Sequence, residues 1–506
     1  MNQNTNIGKI QTIEQSDFQR NNKFLYGLTF MGFGVHASRS LMSCSALSVI
    51  QGNLLGPLGF SIMYTINFIP AILFIWLNTN YFSLNACIIG TIIGQICLSV
   101  AIINGLSIFV IIGETIFGFA AFLIIINQRT LISVYNSLPA FGLSLSVSIA
   151  SFVKLASKIG ISGITLATTN HRNNNSSYNN SNYNEDDDNF SAFIISLFCI
   201  ISCIVPLIIA NAEECNTSIS VVNNVDIKHL KNILNVVKTP LSDNHKLTTY
   251  NTMKQNINNN QCENDRHFIK FNLSQYRSIL MLPITLHAVN IFLYHPIDTF
   301  IPHILARKFD VTKSTMIIIQ ITAPLIDMLF APVVGYFQDH YNFDAIHLII
   351  INLIFFSIAV IFMIYIDNEM DNISHNNHQE SSVNFISLIV AYTTIALTRT
   401  FLTILVLSLV VTSMTALFDK SLTPAIDIES MIIHEKSNMI QDKKNSYQKG
   451  FISMEIVSNF VNIVAYLAFG TLYSESNGYT KSLSLLVTVS IMTTIVLVSK
   501  LWRKAA

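Results

Sequence analysis

The sequence predicts an all-α polytopic membrane protein, with twelve transmembrane helices in two six-helix halves. Three observations predict it. Hydrophobic residues make up 51% of the chain and charged residues only 11%, with a mean hydropathy of +0.49; a soluble protein carries about 25% charged residues. Long apolar runs recur, each near the roughly 20 residues that cross a bilayer as a helix. The runs fall into two blocks on either side of a long polar stretch, the layout of a two-half transporter.

The elements follow in order. Residues 1–23 are polar and form an N-terminal tail. No cleavable signal precedes the first apolar run, which is long enough to act as an uncleaved anchor. The N-terminal bundle, 24–211, holds runs at 24–45, 56–77, 82–103, 106–126, 137–157 and 191–211. Residues 212–276 form a polar central linker. The C-terminal bundle, 277–501, holds runs at 277–301, 314–335, 345–366, 385–412, 450–472 and 481–501, and 502–506 is a short tail. Two further polar stretches, "NNNSSYNNSNYNEDDDNFS" and "DNEMDNISHNNHQESS", are acidic and Asn-rich and read as loop filler. They contain sequons such as Asn174-Asn175-Ser176, in a chain rich enough in Asn to form sequons by chance. An even number of spans puts both termini on one side. Lys and Arg concentrate on that side even with the long linker set aside, so both termini are expected in the cytoplasm.

Several classes of function are disfavoured. The net charge is zero and no basic tract carries interleaved aromatics, which argues against a nucleic-acid partner. Seven cysteines are scattered without a metal-ligand spacing, so neither a metal nor a cofactor is expected. There is no G-x-S-x-G, no H-E-x-x-H and no glycine-rich phosphate loop, which argues against an enzyme and against ATP drive.

The informative residues are the charges inside the spans. A charge at the bilayer centre costs about 2.5–3.5 kcal/mol on insertion scales, and such groups face a bundle interior or a cavity and pair with one another. His36 and Arg39 fall in span 1, Glu114 in span 4, His287, His295 and Asp298 in span 7, and Arg399 in span 10. These are the first helices of each three-helix repeat, which points to a common cavity between them. Glu114 lies about 12 Å from the outer end of its span, at 1.5 Å per residue. It reads either as a proton carrier or as a fixed ligand for a substrate ammonium. Asp298 follows Pro296 near the outer mouth and reads as a gate or cap as readily as a ligand. Asp327 and Glu455 read as interhelical hydrogen-bond partners, and Lys154 as a residue that snorkels outward. "GTIIG", Gly90 to Gly94, reads as a helix-packing motif.

The chain resembles the major facilitator superfamily. "GYFQDHYNFD" after span 8 keeps that family's Gly and acid four residues apart, at Gly335 and Asp339, which the resemblance makes gating residues. The matching turn after span 2, "IWLNTNYFSLN", has Asn78 in place of the acid. A narrower resemblance is to the lysosomal dipeptide uniporter branch. It is carried by "IIGETIFGF", "FGLSLSVSIAS", "YHPIDTFIPHILARKFDVTKS" and "NSYQKGFISMEIVSNF". That resemblance implies that Glu114 reads a peptide amino terminus. The branch's span-5 arginine, which contacts the substrate carboxylate, is replaced here by Ile149, leaving Arg39 or Arg399 for that role. The substrate-binding set is therefore His36, Arg39, Glu114, His287 and Arg399, with Asp298, Gly335 and Asp339 as gating residues.

The expected function is secondary active or facilitative transport of a small polar or zwitterionic organic solute, a dipeptide or amino acid in the favoured form. The alternatives are a non-transporting subunit or sensor, or a carrier of another solute such as a sugar or nucleoside. The expected partners are the solute and the bilayer, with protons and an accessory glycoprotein subunit as further candidates. The resemblance favours an endolysosomal or vacuolar membrane, with the plasma membrane as the alternative.

Overall fold

The computed structural model describes residues 29–30, 32, 35–36, 56–73, 84–104, 107–136, 138–173, 200, 273–309, 313–341, 343–373, 381–422, 434–476 and 479–505. The described elements are helices. They are α1 (Gly56–Thr65), a 3-10 turn over Ile66–Phe68, α2 (Ile69–Leu73), α3 (Leu84–Asn104), α4 (Ser107–Tyr135), α5 (Pro139–Asn173), α6 (Leu273–Lys308), α7 (Lys313–Tyr341), α8 (Ala345–Ile373), α9 (Ser381–Leu422), α10 (His434–Ser476) and α11 (Thr480–Ala505). Predicted span 2 becomes α1 and α2, spans 3–5 become α3–α5, and spans 7–12 become α6–α11. Span 1, apart from short pieces, span 6, apart from residue 200, and the central linker lie outside the described residues.

Among the described residues, eight helices are long and apolar enough to cross a membrane, from Ile111–Val134 in α4 to Thr480–Arg503 in α11. The chain is an integral, multi-pass membrane protein. The helical form follows from the solvent: in hydrocarbon every backbone donor and acceptor must be satisfied within the protein, and a helix satisfies its own. The lipid-facing side is legible in α8, where Ile351, Phe355, Ile358 and Phe362 are exposed at helical spacing.

Helix ends depart from the predicted spans because hydropathy follows apolar runs, and a helix continues through polar residues at and beyond their ends. α10 begins at His434, well before 450, because "HEKSNMIQDKKNSYQK" is rich in helix formers that continue the helix outside the bilayer. α4 continues to Tyr135, past 126, which draws Arg129 into the span where the sequence had placed it in a loop. The "GTIIG" motif packs as expected. A Cβ on Gly94 would lie 2.7 Å from the backbone nitrogen of Phe117, so α3 and α4 meet there backbone to backbone.

The helices before residue 174 and those after residue 272 form two blocks that touch along two seams. In one, α5 packs against α7; in the other, α10 packs against α1, α2 and α4. One apolar core lies almost wholly in the C-terminal block, with Phe300, Phe356 and Val406 fully buried in it. The second is shared: Phe117, Ile126 and Ile132 of α4 pack with Leu407 and Met414 of α9 and Phe451 of α10.

Candidate functional site

A group of ionisable side chains lies at each of the two seams. At the first, Arg399 of α9 reaches two carboxylates at once. Its Nη1 lies 3.0 Å from Asp298 Oδ2 on α6, and its Nη2 donates to Asp327 Oδ2 on α7. Asp327 is 2% exposed, so its oxygens need partners inside the protein. Thr400 Oγ1 donates to its Oδ1 at 2.5 Å, and Ser151 of α5 donates to its Oδ2 at 3.2 Å. Asp327 is thus held by both blocks.

The surroundings are charged as well. Lys154 and Lys158 of α5 and His295 of α6 lie within electrostatic reach of Asp298, and Lys154 also of Asp327 and Arg399. Lys154 therefore belongs to the cluster, where the sequence reading had it snorkelling away. The α5 side presents cations and the α6–α7 side carboxylates, with Arg399 between the two acids. The Tyr392 hydroxyl of α9 is buried beside this cluster and has no hydrogen-bond partner among the described residues.

The α5–α7 contact runs antiparallel along its length. Asp339 accepts hydrogen bonds from the backbone N–H groups of Ala140, at 3.3 Å, and Phe141, at 2.7 Å. The first turn of α5 has no acid of its own, so α7 supplies the carboxylate that its free N–H groups and dipole favour. One turn along, a Cβ on Gly335 would sit 2.1 Å from Ser144 Oγ, so only glycine permits this approach. Further along, Ser148 Oγ donates to Met328 O at 2.6 Å and Lys158 Nζ to Gln320 O at 3.4 Å.

At the second seam, Arg129 of α4 is ion-paired with Glu455 of α10, with side-chain exposures of 20% and 13%. His287 of α6 is 3% exposed and lies within electrostatic reach of both. A stacked pair, Phe68 with Tyr466 at 6.0 Å, joins the blocks on the same seam.

The expected site residues therefore divide. Asp298 and Arg399 are brought together. Gly335 and Asp339 meet α5 side by side. His287 joins the other seam. Glu114 is 1% exposed on α4. His36 is half-buried near the α4 contact made by Gln128 Nε2 to Thr29 O, at 2.9 Å. Arg39 and Asn78 lie outside the described residues. Sequence reasoning passed over Ser148, Ser151 and Lys158, and gave Arg129 to a loop. A signal was present: Ser144, Ser148 and Ser151 recur at i, i+4 and i+7, a hydroxyl stripe on one face of an apolar helix.

The described residues are helical, and solved structures show a major facilitator type of fold. The chain is similar to a POT family transporter in complex with a thioalcohol-conjugated peptide, at TM-score 0.56 and 14% identity, covering 94% of this chain and 95% of that one. It is also similar to the major facilitator superfamily proton:xylose symporter XylE bound to 6-bromo-6-deoxy-D-glucose, at TM-score 0.54 and 10% identity, covering 95% of each chain. A third similar structure is a bacterial homologue of the iron transporter ferroportin in an outward-facing state, at TM-score 0.52 and 9% identity, covering 95% of this chain and 98% of that one. At these identities the likeness establishes the fold alone. No family model and no curated protein sequence matches the chain.

Proposed function

We propose that this protein is a secondary transporter that moves a small polar or zwitterionic organic solute, a dipeptide or amino acid in the favoured form, by alternating access. One observation carries the reading. Two groups of ionisable side chains inside the bilayer lie at the contacts between the two blocks, where Asp327 with Ser151 and Arg129 with Glu455 cross from one to the other. Buried charge is costly. Its concentration where two bodies meet suits a protein whose bodies separate in turn.

In this reading Glu114 binds the cationic end of the solute, and Arg399 or Arg39 the anionic end by a bidentate contact. Arg399 already holds Asp298 and Asp327, so a solute carboxylate competes with them for it. His36 and His287 line the route. Asp298, Gly335 and Asp339 gate it. The domain division at 24–211 and 277–501, cytoplasmic termini, proton coupling, an accessory glycoprotein and an endolysosomal or vacuolar membrane complete the proposal; the Lys and Arg distribution and the family resemblance support them. The likeness to a peptide-bound POT family transporter is compatible with the favoured solute.

The test has two arms. A thermal-shift screen of the purified protein against amino acids, dipeptides, sugars and nucleosides identifies ligands, because a ligand that binds only the folded state raises Tm. Uptake of each hit into proteoliposomes follows. Accumulation supports transport; binding without accumulation supports a sensor or subunit.

A further inference from the structure

Proline at position i of a helix leaves the carbonyl of residue i−4 without its helical donor. α7 contains Pro324 and Pro332, which release the carbonyls of Gln320 and Met328. In a bilayer such a carbonyl needs another donor from the protein. Here α5 supplies both. Lys158 Nζ donates to Gln320 O at 3.4 Å, and Ser148 Oγ to Met328 O at 2.6 Å. Between these links Ser151 donates to Asp327, the carboxylate that also holds Arg399. Acceptors at 320, 327 and 328 on one block thus meet donors at 158, 151 and 148 on the other, in antiparallel order.

We propose that Pro324 and Pro332 make α7 the docking helix for the opposite block. They expose backbone acceptors that α5 binds reversibly, and Asp327 connects this ladder to Arg399. The end of the seam near Asp339 is built differently, by the close approach at Gly335 and the capping of α5. The seam thus has a stretch tied by single, exchangeable hydrogen bonds and a stretch tied by shape. The first opens without the second. An anion that takes Arg399 loosens the ladder by weakening its hold on Asp327. The inference rests on the fold and these contacts, and it does not depend on which solute is carried.

Double electron–electron resonance tests it. Spin labels are placed at Ile159→Cys and Ile318→Cys, which are 52% and 55% exposed on α5 and α7, in a cysteine-free full-length protein in nanodiscs. Pro324→Ala returns Gln320 O to the α7 helix and withdraws it from Lys158. The ratio of long to short distances is expected to rise about threefold, the effect of one average interhelical hydrogen bond. Tm is expected to hold or rise, because α7 gains a bond of its own; a merely structural proline would not open the seam at undiminished Tm. Lys158→Met is expected to act in the same direction. The double variant is expected to open no further than Lys158→Met alone, since both remove one link. Thr403→Val, which removes a bond to Asn290 inside one block, is expected to leave the distribution unchanged. An unchanged distribution in Pro324→Ala and Lys158→Met, or additive opening in the double variant, overturns the proposal. Should Pro324→Ala fail to fold, Ser148→Ala and Ser151→Ala test the two other links by the same measurement, and unchanged distributions there overturn it equally.

Discussion

Glu114 is the residue that most needs a reason to be where it is. It is 1% exposed within a helix that is otherwise almost all apolar. Under the proposed function it meets a substrate amine, so Glu114→Gln, which keeps the shape and removes the charge, is expected to abolish or strongly impair uptake while the protein still reaches its membrane. Wild-type uptake at normal expression contradicts that role. Arg399 makes a sharper case, because its partners are known. Asp298 and Asp327 both hold it, and Thr400 and Ser151 hold Asp327 in turn. Arg399→Ala strands the buried Asp327 and the partly exposed Asp298, and removing one partner of a buried pair costs about 3–5 kcal/mol. A large fall in Tm is therefore expected. Arg399→Lys keeps the charge and loses the fork, and is expected to weaken binding of solutes with a carboxylate more than of those without one. Equal loss for both classes, measured by thermal shift, points to structural damage instead. That Asp298 and Arg399 were significant could be read from the cost of burying charge. That they were each other's partners could not, because their spacing in the chain carries no information about which helices meet.

At the scale of the element, α5 and α7 carry the account. The hydroxyl stripe of Ser144, Ser148 and Ser151 and the prolines Pro324 and Pro332 are plain in the sequence, but each looks incomplete alone. A serine in a membrane helix commonly bonds its own backbone, as Ser146 does to Leu143 O at 2.7 Å. A proline commonly marks a kink. Only the antiparallel pairing of the two helices turns one set into donors and the other into acceptors. Gly335 was legible as half of a Gly–acid motif, and the structure shows what the missing side chain permits: Ser144 Oγ and Ala140 O would meet a Cβ at 2.1 and 2.8 Å. Gly335→Ala is expected to wedge the seam, lowering stability by on the order of 1–3 kcal/mol, as overpacking does. Ser144→Gly in the same chain is expected to recover part of that loss, measured as Tm. No recovery would mean that the two residues do not press on each other.

For the whole molecule, hydropathy gave the class and the block layout, because the bilayer permits few alternatives. It gave helix ends less well, as the polar start of α10 shows, and it hid Arg129 by ending span 4 too early. The two seams are unequal. One is tied by hydrogen bonds and a helix cap, the other by the Arg129–Glu455 ion pair and aromatic packing. Reversing either charge, Arg129→Glu or Glu455→Arg, sets like charges together and is expected to lower both Tm and uptake. The double reversal is expected to restore much of both, with a coupling of about 0.5–3 kcal/mol for residues in contact. Effects that merely add would show that the pair does not hold the blocks together. The central claim is that these blocks part and rejoin around a bound solute. Its most direct test is uptake into proteoliposomes of a labelled amino acid or dipeptide that raises Tm, measured for wild type and Glu114→Gln side by side. Time-dependent accumulation is expected in the wild type and little or none in Glu114→Gln. Binding by the wild type without accumulation would contradict it.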